Sequence, residues 1–289
     1  MKETIEKILV ATDGSPESET VFSAIMPLVR AYAPEVAILY VFEDPESSFM
    51  PPARVAKACG ALRATNVNAY LELREGMPAE EILRVSREKK VDLIALSTHG
   101  RGGVVRLIAG SVAEEVLRKT EVPLLVTRPG TIVHDWKKIV VALDGSERSE
   151  SILAETVRLA RKLDAAVEVL QVAIPVVAAG AGETPILLPP EDPMPYLKSI
   201  VRRLEEQGVR ARAVALEGRP SESILRHIRE SGASLICMTT HGRSGFARIL
   251  LGSVAEEVVR KAPCPVLLQR NVVAAAPARE PARGNVKVR

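Results

Sequence analysis

Most residues whose types and spacing could do chemistry fall in two matching stretches. Residues 98–116 read THGRGGVVRLIAGSVAEEV, and residues 240–258 read THGRSGFARILLGSVAEEV. The copies lie 142 positions apart and are identical at thirteen of nineteen positions. Each follows a short apolar run, Val91 to Leu96 or Ser234 to Met238, of the kind that forms a buried parallel strand. Glycines come next: Gly100, Gly103 and Gly110 in the first copy, Gly242, Gly245 and Gly252 in the second. Ser111 with Glu114, and Ser253 with Glu256, then have the spacing of a capping box at a helix start. Strand, glycine loop and helix N-terminus together suit an anion. A glycine puts no Cβ between an anion and the backbone N–H groups, and a helix start adds free donors and the positive end of the dipole. A phosphate chain is the natural occupant. In the alternative, the glycines only turn the chain and the serines only cap helices, and one copy alone does not decide between the two.

Other candidates flank these stretches. Asp13 ends the apolar run Lys7 to Thr12, and the segment KILVATDGS recurs as KIVVALDGS, which ends in Asp144. Such an aspartate either fixes the turn and caps the next helix or faces a ligand. His99 and His241 each precede a glycine of the repeated stretch. They could contact phosphate or act as a general acid, but a hydrogen bond that orders the loop is favoured, because no partner carboxylate lies nearby in sequence. Arg101 and Arg243 suit phosphate pairing and solvent exposure equally well.

The repeated stretch resembles the signature of the universal stress protein family, Gly-x2-Gly-x9-Gly-Ser/Thr. Gly100 to Gly110-Ser111 and Gly242 to Gly252-Ser253 fit its spacing. Both copies depart from it at the first glycine, where Ser97 and Thr239 stand. A small hydroxyl there can donate a hydrogen bond, while its Cβ narrows the space for a ligand. The resemblance implies ATP binding. It implies that Ala11, Thr12 and Asp13, with Ala142, Leu143 and Asp144, lie near the adenosine, and that backbone groups near Val41 and Val172 meet the adenine edge. Ser111, Val112, Ser253 and Val254 would then join the glycines around the phosphates. Magnesium would bridge those phosphates, since the site supplies few fixed cations.

These residues must be held by regular elements. In the first half, apolar runs at 7–12, 36–42, 67–73, 91–96 and 123–127 alternate with helical patterns, a parallel sheet with helices on both faces. Pro27 lies inside the first helical pattern and is expected to kink or shorten that helix. The second half repeats the first, at an offset of 131 early and 142 late. About eleven residues are therefore added, between Ala173 and Pro195, where a lid over the crevice or a floppy surface insertion is expected, the insertion being favoured. Residues 1–130 and 137–270 are read as two domains, and 271–289, rich in Ala, Pro and Arg, as a disordered basic tail. Each domain is expected to be Rossmann-like. The resemblance implies a five-stranded parallel sheet of order 3-2-1-4-5, similar to adenine nucleotide α-hydrolases, with its ligand at the switch point between the first and fourth strands. Pairing of the two fifth strands would hide both sheet edges and make a pseudo-twofold dimer within one chain. A homodimer of such chains and a protein partner are further expectations.

Composition narrows the function. Lysine and arginine number 39 against 36 acidic residues, and aromatics are 3%, which gives neither a nucleic-acid face nor a base-stacking platform. Cys59, Cys237 and Cys264 have no metal-ligand spacing and read as packing residues in a reducing compartment. No signal-peptide pattern precedes the first strand and no apolar run approaches about 18 residues, so a cytoplasmic protein is expected. The phosphate loop GxxxxGK[ST], HExxH and GxSxG are all missing from the sequence, as are the HxGH and SGGxDS of adenylating relatives of the fold. The expectation is a nucleotide-binding regulator or sensor without substantial turnover. An interaction scaffold and a slow ATPase or nucleotidyl transferase are the alternatives.

Overall fold

The computed structural model describes residues 3–42, 50–98, 111–131, 133–178, 186–188, 190–240 and 251–270. The first half runs β1 (Lys7–Ala11), a 3-10 turn (Pro16–Glu19), α1 (Thr20–Tyr32), β2 (Glu35–Phe42), α2 (Ala53–Arg63), β3 (Ala69–Glu75), α3 (Pro78–Lys89), β4 (Leu93–Ser97), α4 (Ser111–Lys119) and β5 (Leu124–Thr127). The second half begins β6 (Lys138–Leu143), α5 (Glu147–Glu150), α6 (Leu153–Leu163) and β7 (Ala166–Ala173), followed by the short strands β8 (Val176–Ala178) and β9 (Ile186–Leu188). It continues α7 (Met194–Glu205), β10 (Ala211–Glu217), α8 (Pro220–Ser231), β11 (Leu235–Thr239), α9 (Ser253–Lys261) and β12 (Val266–Gln269).

Ten strands make one sheet, ordered β10-β7-β6-β11-β12-β5-β4-β1-β2-β3. Each half contributes five parallel strands in the order 3-2-1-4-5. The halves join where β12 runs antiparallel to β5, with Val266 opposite Val126, Leu267 opposite Leu125 and Leu268 opposite Leu124. These apolar fifth strands would otherwise present bare sheet edges.

Strand alternation sorts the side chains to two faces. From β2, Val36, Ile38, Tyr40 and Phe42 join a core under α1, α2, α6 and α7, while Ala37 and Leu39 join the core under α3, α4, α8 and α9. Both cores draw residues from both halves. Trp136, in the linker, is 1% exposed and belongs to the first core. The three cysteines are buried free thiols.

Some expectations are corrected. Helix α1 runs through Pro27 to Tyr32 and is not shortened. Buried Val21, Ile25, Leu28 and Val29 hold its inner face, and tertiary packing outweighs the one hydrogen bond proline removes. The third strand starts at Ala69, because the turn after α2 is closed by Asn66 at a φ of 60°. The residues added in the second half are not a floppy insertion throughout: β8 pairs antiparallel with β9. The tail 271–289 lies outside the described residues.

Candidate functional site

The carboxyl ends of β6, β7 and β11 and the N-terminus of α9 meet around a cavity of about 570 Å3. Parallel strands end together there, and the crevice between β6 and β11 is the switch point of the second sheet. Ala142, Leu143, Asp144, Val172, Thr239, Gly252, Ser253 and Val254 all line it. His241, Gly242, Arg243 and Gly245 lie outside the described residues.

Geometry at the start of α9 shows which donors the helix leaves without a partner of its own. The N-cap is Gly252, so Ser253 is the first helical residue and not a cap, which corrects the capping-box reading. The N–H of Gly252 donates to the Thr240 carbonyl at 2.8 Å, and the N–H of Glu256 donates to the Gly252 carbonyl at 2.9 Å. That leaves the N–H groups of Ser253, Val254 and Ala255, which have no partner inside the helix. All three residues line the cavity. Gly252 has a φ of −62°, which any residue adopts, so its reason is space: a Cβ would stand 3.1 Å from the Thr240 carbonyl oxygen. Helix α4 likewise begins at Ser111.

Asp144 fixes its turn and stands at the cavity wall. Its Oδ1 accepts from the Ser146 N–H at 3.0 Å and the Ser146 hydroxyl at 2.6 Å, which fixes the turn after β6, and the residue also lines the cavity. Glu191 and Asp192 add two more carboxylates at the wall. Among the described lining residues there is no lysine, arginine or histidine. The charged side chains among the described lining residues are thus the carboxylates of Asp144, Glu191 and Asp192.

Several lining residues escaped the sequence reading: Gln171, Ile174, Asp192, Pro193 and Tyr196. The Tyr196 hydroxyl donates to Glu150 Oε1 at 3.2 Å, and Arg203 holds the other oxygen at 2.7 Å. Burial and then the Glu150 carboxylate push the phenol above its ordinary value. The added segment between Ala173 and Pro195 is the signal that could have found Ile174, Asp192 and Pro193, whereas Gln171 lies before it and Tyr196 after it.

The first half places its candidates on corresponding elements. Ala11 ends β1 and Thr12 and Asp13 follow it, Val41 lies in β2, Ser97 ends β4, and Ser111 and Val112 open α4. Asp13 Oδ1 accepts from the Ser15 N–H and hydroxyl at 3.0 and 2.7 Å, the same turn as Asp144. Thr12 shares a hydrogen bond of 2.8 Å with Ser18. The Ser97 hydroxyl donates to the Glu17 carbonyl at 3.3 Å. His99, Gly100, Arg101, Gly103 and Gly110 lie outside the described residues.

Fold and crevice together define a tandem Rossmann-like α/β protein whose two sheets have been joined edge to edge. The sequence profile of the Universal stress protein family matches residues 4–128 and again residues 135–270. The chain belongs to that family and carries two of its domains in tandem. It is 37% identical over 138 residues to the universal stress protein MJ0531 of Methanocaldococcus jannaschii, covering 46% of this chain and 81% of that one. It is 32% identical over 147 residues to the universal stress protein YxiE of Bacillus subtilis, covering 47% and 99%. Among solved structures, a universal stress protein from Archaeoglobus fulgidus superposes with a TM-score of 0.71 at 20% identity, over 93% of this chain and 98% of that one.

Proposed function

We propose that this chain binds ATP and serves as a stress-response regulator or sensor without substantial turnover. The observation that supports it most is the cavity at the second switch point. Its volume lies within the range of about 300–1,000 Å3 common for small-molecule sites. The three N–H groups at the start of α9 that have no partner inside the helix suit a phosphate, and Asp144 suits a sugar hydroxyl. A Cβ at Gly252 would press on the Thr240 carbonyl and disturb the start of α9, where those N–H groups lie. Because the described lining residues carry no cation, a divalent ion such as Mg2+ would supply charge neutralisation beside the phosphates. Absence of turnover rests on the motifs missing from the sequence.

A second reading, a scaffold in which one half holds no nucleotide, is favoured by one observation in the first half. A Cβ on Gly14 would lie 2.6 Å from Pro52 Cγ, so the start of α2 sits directly on the turn after β1. The test is to denature purified protein and identify released nucleotide by mass spectrometry with its molar ratio. ATP at two per chain supports both sites, and one per chain supports the scaffold reading for one half. A protein that releases none and takes up none with added Mg2+ would contradict ATP binding.

A further inference from the structure

The first half carries a second cavity, of about 240 Å3, at the end of the sheet opposite the crevice. It lies where α3 and α4 end and β4 and β5 are about to begin, and Ser86, Arg87, Lys90, Lys119, Thr120 and Glu121 help to line it. Three of these side chains are cationic and one is acidic. Two of the cations are uncommitted. Around them Arg84 pairs with Glu81, Lys89 with Glu72 at 3.0 Å and Lys119 with Glu115 at 2.7 Å, whereas Arg87 and Lys90 form no ion pair among the described residues. The ends of the two helices do not need them either. The carbonyls of Ser86 and Arg87 accept from the N–H groups of Val91 and Lys90 at 3.1 and 3.2 Å, and the Val116 carbonyl accepts from the Thr120 N–H at 2.7 Å. The Ser86 and Thr120 hydroxyls donate to the carbonyls of Leu83 and Val122 at 2.9 and 3.0 Å, so the donors left for a ligand are the cationic side chains.

The second half shows what these positions need for packing alone. At the offset of 142, Arg87 and Lys119 recur as Arg229 and Lys261, but Ser86 is replaced by Ile228 and Thr120 by Ala262, each 1% exposed. Lys90 is replaced by Gly232. Both residues close their helix in the left-handed region, at φ of 54° and 65°. Glycine takes that conformation without a steric penalty, so lysine there gives up some stability and gains a charge beside the cavity. We infer that this cavity is an anion site. It holds a small oxyanion of the phosphate class, with the Arg87 guanidinium on two oxygens and the Lys90 ammonium on a third. Its volume falls below the range of about 300–1,000 Å3 common for larger organic ligands, which suits an ion better than a whole nucleotide. The site is separate from the crevice and does not depend on the nucleotide reading.

The experiment titrates the intact chain with inorganic phosphate and follows backbone amide resonances by NMR, with sodium chloride at matched ionic strength as the control. Wild type, Lys90→Gly, Arg87→Gln and Gly252→Val are compared, with thermal melts to show folding. Lys90→Gly copies the second half and should fold at least as well as the wild type. The expected result is a saturable phosphate-dependent shift of the Val91 and Thr120 amides that chloride does not produce. Its apparent affinity should fall about tenfold in Lys90→Gly and in Arg87→Gln, the scale of one charge-assisted hydrogen bond, and persist in Gly252→Val, which alters only the crevice. No saturable shift in the wild type, or equal affinity in Lys90→Gly and Arg87→Gln, would overturn the inference, as would a shift lost only in Gly252→Val.

Discussion

Glu168 sits in the middle of a parallel strand with its side chain 3% exposed, where the first half has Ala37. Arg212 donates to its Oε1 at 2.6 Å, and His227 Nε2 lies 2.6 Å from its Oε2. Burial pushes this carboxyl up, but the hydrogen bonds from Arg212 and His227 and the charges beside it outweigh burial and hold it below its ordinary value of 4.5. A carboxyl with a depressed folded pKa stabilises the fold fully above its unfolded value and loses that contribution as pH falls through the folded one. We predict that wild-type stability in urea declines below about pH 4.5 and that Glu168→Gln flattens this part of the profile. At neutral pH the same variant is expected to cost about 1.5–3 kcal/mol, the worth of a charged hydrogen bond. Nothing in the periodicity marks Glu168, since a lone acid in an apolar run reveals its partners only once β10 and α8 are placed beside it. Asp144 was legible, because the repeat puts an aspartate at the end of the first strand in both halves. Gln171 was not, although comparing the halves pair by pair sets it against Tyr40.

At the scale of elements, α1 and α6 occupy equivalent places and solve them differently. Where α1 carries Pro27, α6 carries Arg158, and this arginine reaches into the first half. Its Nη1 donates to the Thr4 carbonyl at 3.3 Å, and its own carbonyl accepts from the Tyr32 hydroxyl at 3.1 Å. It also pairs with Glu155, with both side chains at most 10% exposed. Burial raises the Glu155 carboxyl and Arg158 opposes that. Arg158→Ala would leave a buried acid unpaired and should destabilise the chain by about 3–5 kcal/mol in denaturant unfolding, whereas a loss below about 1 kcal/mol would show the pair to be solvated. The helices were legible because their apolar residues recur at helical spacing, as Ile82, Leu83 and Val85 do in α3. Their ends were less so. Serine followed three residues later by glutamate marks a capping box, yet α9 starts with Ser253 because Gly252 is fastened to Thr240. Sequence spacing cannot register a hydrogen bond made across the loop.

Over the whole molecule, the halves are tied by more than the β5–β12 ladder. Arg128 Nε donates to the Ala262 carbonyl at 2.7 Å, beyond the end of α9, and the equivalent Arg270 donates to the Arg118 carbonyl of α4 at 2.6 Å. Each arginine meets the carbonyl end of the other half's signature helix, where a cation also suits the dipole. With both cores shared across the junction, calorimetry should show one unfolding transition for the wild type. The double variant Arg128→Ala, Arg270→Ala should lower its midpoint by a few degrees, at about 0.5–1.5 kcal/mol per hydrogen bond. Two separated wild-type transitions would mean that the halves are independent. Among the described residues no helix is long and apolar enough to cross a membrane. The strand order followed from the family signature and the repeat, while the reciprocal arginines did not, because residues that follow two strands far apart in sequence meet only after the sheets join.

The measurement closest to the central claim is a calorimetric titration of Mg·ATP into the intact chain, wild type against Gly252→Val. Valine is allowed at that φ, so the fold should survive, but its Cβ must push against the Thr240 carbonyl and displace the N–H groups of Ser253, Val254 and Ala255. The account predicts that the second-half site weakens at least about tenfold, the equivalent of about 1.4 kcal/mol. Equal affinity and stoichiometry in the two proteins, with melting curves unchanged, would contradict it.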